Sequence, residues 1–207
     1  GLPVDDTWLW DGSDWTPTTP ANNPPLDEGH VMAWDGNTSS VLLVRTGFGT
    51  SDTWSWDGSD WIQLQPATNL PGRYDAGMVW DPSLGRVLLF GGSDGIPQYG
   101  TSYGDTWTWD GADWSLLDPG TPAIGGREFA QLFYDPGLSQ VVLHGGLFSF
   151  SWWLYSDTWA WDDTGNQWQR LAEHRSPQAF SHAAMVYDEA RGETVSYTHL
   201  RAHETRF

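Results

Sequence analysis

The stretch from Asp105 to Trp114, DTWTWDGADW, decides how this chain folds. A strand alternates its side chains between two faces, so Trp107 and Trp109 are expected on one side and Thr106 and Thr108 on the other. The Asp-Gly pair behind them is a hairpin signal, because a tight turn between twisted strands requires positive φ at its central positions. The final Trp then opens a second strand. The same text returns as DTWLWDGSDW from Asp6 to Trp15, as DTWSWDGSDW from Asp52 to Trp61 and, loosened, as DTWAWDDTGNQW from Asp157 to Trp168. Successive copies begin 46, 53 and 52 residues apart, a period at which each repeat can form one small sheet stacked on the next.

Working outward, each later copy is preceded by two apolar runs. HVMAWD (His30 to Asp35) and VLLV (Val41 to Val44) flank a turn at Gly36 and Asn37. DAGMVWD (Asp75 to Asp81) and VLLFGG (Val87 to Gly92) flank Pro82 to Gly85, and FAQLFYD (Phe129 to Asp135) precedes VVLHGG (Val141 to Gly146). Four short strands per repeat, A to D, make one antiparallel blade. Thr18 to Asp27, rich in Pro, Asn and Thr, reads as a loop.

These residues resemble the kelch-repeat β-propeller family in its Trp-rich bacterial form. The resemblance rests on the apolar A strand, the diglycine ending strand B (Gly91-Gly92, Gly145-Gly146), the aromatic pair in strand C and the single Trp in strand D. It implies an all-β, kelch-type β-propeller, present in part: three full four-stranded blades with incomplete blades at each end. Residues 1–195 carry it, with blade parts at roughly 4–17, 28–66, 73–118, 127–172 and 180–195. The chain is thus expected to begin partway through a repeat, with the last repeat supplying only its first strand. One repeat departs from the pattern, because Arg45 and Thr46 stand where the others have glycines. Beyond it, Val195 to Thr205 reads VSYTHLRAHET, which resembles a translated sequencing adapter, so residues 196–207 are expected to be a non-native tail.

Composition narrows the partners. Acidic residues outnumber basic ones 27 to 9, a formal charge of −18, and Lys is absent, so phosphate backbones are repelled and nucleic acid is not an expected partner. No apolar run reaches the roughly 18 residues of a membrane span, so no insertion is expected. Cys is absent, which excludes disulfides, thiolate metal sites and Cys nucleophiles, and with them the Cys-linked Tyr radical of galactose oxidase, a kelch-type enzyme. Sixteen Trp residues exceed what a generic fold needs, and they are expected to form the core between blades. The acidic, Cys-free composition fits a secreted or surface protein.

The two faces of such a disc differ in chemistry. The C–D turns gather Asp11, Asp14, Asp57, Asp60, Asp110, Asp113, Asp162 and Asp163, which suit oxygen coordination of Ca²⁺ but also suit turn geometry by bonding nearby backbone amides. The opposite face carries the long B–C loops and the D–A segments. Leu147 to Ser156, LFSFSWWLYS, offers Phe150, Trp152, Trp153 and Tyr155 to a ligand, or else extends its strands and packs. Tyr103 lies in the preceding B–C loop. Arg73, Arg127 and Arg175 sit in D–A segments, where they could meet an acidic ligand or make repeated structural salt links.

No His pair has metal-ligand spacing; His30 and His182 open A strands and are placed to face a central channel, whereas His144 is expected to pack. Neither GxSxG nor a phosphate-binding glycine loop occurs, and no catalytic residue, metal or cofactor is expected. The leading reading is a non-catalytic recognition or scaffold module that binds a protein or glycan through its B–C and D–A loops. Alternatives are part of a propeller enzyme acting on sugars or small metabolites, or a spacer in a surface protein; exposed blade edges are expected to associate.

Overall fold

The computed structural model describes residues 6–26, 29–46, 49, 51–95, 100–120, 124–148, 151–171, 177 and 184–197, and among them every regular element is a β-strand. The first DTWxW unit forms a two-stranded hairpin, β1 (Trp8–Trp10) and β2 (Trp15–Pro17). Next comes a four-stranded antiparallel sheet of β3 (Val31–Asp35), β4 (Ser40–Thr46), β5 (Ser51–Trp56) and β6 (Trp61–Gln63). The second sheet holds β7 (Gly77–Asp81), β8 (Arg86–Phe90), β9 (Thr106–Trp109) and β10 (Trp114–Asp118) in the same order. In the third, β11 (Gln131–Asp135) and β12 (Gln140–His144) are followed by an inserted hairpin, β13 (Leu147–Phe148) and β14 (Trp153–Leu154), before β15 (Thr158–Asp162) and β16 (Gln167–Arg170) complete the sheet. A last hairpin pairs β17 (Ala184–Asp188) with β18 (Glu193–Tyr197).

That last pair differs from the sequence expectation in two ways. Two strands form where one was expected, and β18 runs through Ser196 and Tyr197, past the expected boundary at 195. The ladder joins main-chain groups, so it extends without regard to which side chains follow.

The signature loop also differs in detail. Trp109 pairs with Trp114, leaving four residues between the strands rather than two. Gly111 has φ +102°, as the Asp-Gly pair suggests, while Asp110 closes the loop by accepting the amides of Ala112 and Asp113, each at 2.9 Å. Asp11 and Asp57 do the same for their loops.

The sheets stack so that their first strands, β3, β7, β11 and β17, are successive neighbours. Each central strand is buried on both faces, which is why VLLF reads as an unbroken apolar run. Val87 and Leu89 join Trp107, Trp109 and Trp114 in packing against Leu42 and Val44 of the first sheet, whereas Leu88 and Phe90 face Trp159, Trp161 and Trp168 of the third. The two Trp side chains of β9 therefore share a face, as alternation requires.

A hydrogen bond repeats at each junction. The indole N–H of Trp168 donates to Thr106 Oγ1 of the preceding sheet at 2.9 Å, that of Trp114 to Thr53 Oγ1 at 2.9 Å, and that of Trp61 to Thr7 Oγ1 at 3.0 Å. The Thr and the last Trp of the signature are thus partners across a boundary between sheets. Asp113 and Asp60 add ties by accepting from the backbone and side chain of Thr68 and Asn22, which lie in the segments leaving the preceding units.

Thr106→Val should cost about 1–3 kcal/mol, the usual penalty for a buried donor left without its acceptor. In a Trp168→Phe background the same change should cost much less, and denaturant titration of the four-variant cycle measures the difference. Trp107→Ala should cost about 3–5 kcal/mol in the same assay, as deletion of a buried indole does.

Candidate functional site

The face carrying the long loops contains a repeated assembly. Arg73, 0% exposed, donates from Nη1 and Nη2 to the two carboxylate oxygens of Asp105 at 2.7 and 3.0 Å, and from Nη1 to the Gly91 carbonyl at 2.9 Å. Its guanidinium lies 4.7 Å from the centre of the Tyr103 ring. Arg127, also 0% exposed, repeats this one sheet later: Asp157 at 2.6 Å, the Gly145 carbonyl at 3.1 Å and the Tyr155 ring at 3.7 Å, with a further bond to the Ile124 carbonyl. These arginines make the repeated structural salt links that their matching positions suggest. They are consumed inside the fold, and Tyr103 and Tyr155 lie against them, half-buried.

The diglycines make the assembly possible. Gly91 and Gly92 have φ of +72° and +88°, and a Cβ on them would fall 2.5 Å from the Arg127 carbonyl oxygen and 2.6 Å from that of Tyr74. Those approaches are bonds as well as contacts, since Gly92 N–H donates to the Arg127 carbonyl at 2.9 Å. In the first sheet, where the glycines are missing, β4 instead continues its ladder with β5 as far as Thr46 and Ser51. Arg45 then pairs with Asp52 at 2.6 Å, so the cation that Asp105 and Asp157 receive from a loop comes to Asp52 from the strand beside it. The sequence position matching Arg73 in that repeat is Asp27, which clarifies the departure.

The aromatic loop between β12 and β15 does not simply lengthen its strands. It forms the hairpin β13–β14, whose base is held by reciprocal bonds between Leu147 and Glu128 at 2.8 Å and by Tyr155 N–H on the Gly146 carbonyl at 2.9 Å. Leu147 is buried, while Trp152 and Trp153 are 73% and 65% exposed. Trp152 has φ +54°, a left-handed conformation that bulky residues seldom adopt. Of the sequence candidates, Phe150 and Arg175 lie outside the described residues, as does His182.

Other expectations resolve as follows. His30 lines a cleft of about 240 Å³ between β1 and the first sheet, with Trp8, Met32 and Leu43. His144 is buried, its Nδ1 2.9 Å from Thr158 Oγ1. The acidic turn residues serve as loop closures and as junction ties, and among the described residues no three His, Asp or Glu side chains converge as a metal group would need. A second cleft, about 400 Å³, opens on the loop face beside Tyr103, Gly104, Gly125 and Gly126.

Several of these carboxylates sit below their ordinary range. Burial pushes Asp157 up, but the hydrogen bond and charge of Arg127 outweigh it; Asp60 and Asp113 are lowered first by the backbone amides of Asn22 and Thr68. Burial moves Asp81 the other way. A depressed carboxylate lends stability that is present above its unfolded pKa and lost as pH falls through the folded one. Melting temperature should therefore hold from pH 7 to about 5 and fall steeply below about pH 4, the ordinary carboxylate range. Asp157→Asn should flatten that fall while lowering the plateau, as scanning calorimetry across pH would record.

No family model matches the chain, and no curated protein does. Among solved structures, that of YjhT is similar, with a TM-score of 0.56 at 15% sequence identity over 76% of this chain. The match takes up 54% of YjhT, so the chain spans about half the length of this structural neighbour. At that identity the likeness shows the fold alone: an all-β, β-propeller-like stack of four-stranded antiparallel sheets.

Proposed function

We propose that this chain is part of a kelch-type β-propeller, three complete blades with incomplete blades at each end, and that it acts as a non-catalytic recognition module. Binding falls to the face of B–C and D–A loops. One observation carries this reading. In the complete blades, the Trp residues of the signature are sequestered between sheets, whereas Trp152 and Trp153 project into solvent from a hairpin whose base is fastened to the D–A segment at Glu128. Rigid scaffolds commonly place recognition on such loops, and Trp gives a large contact area with few rotors to freeze. Arg73 and Arg127 contribute by holding the loop bases in place rather than by touching the ligand.

The double substitution Trp152→Ala and Trp153→Ala should leave thermal unfolding within about 2 °C of the parent, as for surface positions. Retention on an array of immobilised oligosaccharides and of basic, neutral and acidic peptides should fall at least about tenfold, matching loss of a binding anchor. Unchanged retention would move recognition elsewhere, and a large loss of melting temperature would make the indoles packing residues.

A further inference from the structure

We infer that the Trp152–Trp153 hairpin docks a cationic protein segment, one that presents Arg or Lys side chains to the indole faces. This rests on the recognition reading above and specifies its partner. Indoles attract cations through the negative faces of their rings, more strongly than Tyr or Phe does. The same loop face already uses aromatic rings in this way, with Arg127 over Tyr155 at 3.7 Å and Arg73 over Tyr103 at 4.7 Å. Those two rings take their cations from within the chain. The two indoles at the hairpin tip stand exposed, one of them on left-handed backbone.

Charge points in the same direction. The chain carries a formal −18. Among the described residues, Arg45, Arg73, Arg86, Arg127 and Arg191 are each in an ion pair with an Asp. A basic segment therefore meets an attractive long-range field, whereas an acidic one is repelled.

The test uses the 207-residue chain and its Trp152→Ala, Trp153→Ala variant, whose net charge is unchanged. Fluorescence polarisation with a labelled peptide of five Arg-Gly repeats should give at least about tenfold tighter binding to the parent than to the variant, as two lost cation–ring contacts imply. Binding should weaken as salt rises, and a Glu-Gly peptide of equal length should not bind. Equal affinity of parent and variant for the Arg-Gly peptide would mean that only the diffuse charge attracts it, and would overturn the inference. If cellohexaose distinguished parent from variant while the basic peptide did not, the inference would fall and the recognition reading would stand. If no probe distinguished them, both would fail.

Discussion

The indole–hydroxyl bond between sheets is the constraint on which the rest of this structure depends. Trp114 and Trp168 are buried at the ends of their own sheets, yet each N–H finds its acceptor only on the sheet before it. A lone sheet would leave that donor without a partner and the faces of Trp107 and Trp109, or of Trp159 and Trp161, open to water. Neighbouring sheets are therefore required by polar satisfaction as much as by apolar burial. The β1–β2 hairpin illustrates the alternative. Trp10 and Trp15 keep the tilted stacking of the complete units, 5.5 Å between centroids against 5.3 Å for Trp109 and Trp114, but Trp10 is 52% exposed where Trp109 is 1%.

The loop face obeys a second constraint, close approach of one backbone to another. Segments that lead into a new sheet cross so near the end of the previous strand that only glycine fits there, and the arginine of the same segment turns inward to satisfy an Asp of the DTW signature. The two requirements are coupled. Where the first sheet lacks the glycines it also lacks an arginine at the matching loop position, and Arg45 takes over the pairing of Asp52 from within the ladder. Recognition, on the reading offered above, is left to what this framework does not use.

Much of this was legible in the residues themselves. Alternation of Trp and Thr placed one face of each strand, and the Asp-Gly pair placed the loop, because both are local. The length of that loop was not, since an Asp that caps amides two and three residues on makes a four-residue turn as good as a two-residue one. Arg73 and Arg127 could be aligned with each other but not assigned, because the partners Asp105 and Asp157 lie 32 and 30 residues away and the choice between ligand and salt link depends on burial. The hairpin β13–β14 was ambiguous for a similar reason. Alternation in LFSFS fits a strand that packs as well as one that projects, and only the path of the chain separates them.

The substitution of Arg45 for glycine makes the junctions unequal. Sheets two and three are clasped at the loop face by three main-chain bonds, from Gly92 to the Arg127 carbonyl, from Arg127 to that of Tyr103 and from Phe129 to that of Asp75, while among the described residues the first and second are joined there through Ser51, whose N–H and hydroxyl donate to the carbonyls of Leu70 and Pro71. An otherwise periodic stack thus acquires a distinct seam, and thermal breathing or mechanical load would be expected to separate the molecule along it first, with the second and third sheets staying together as a unit.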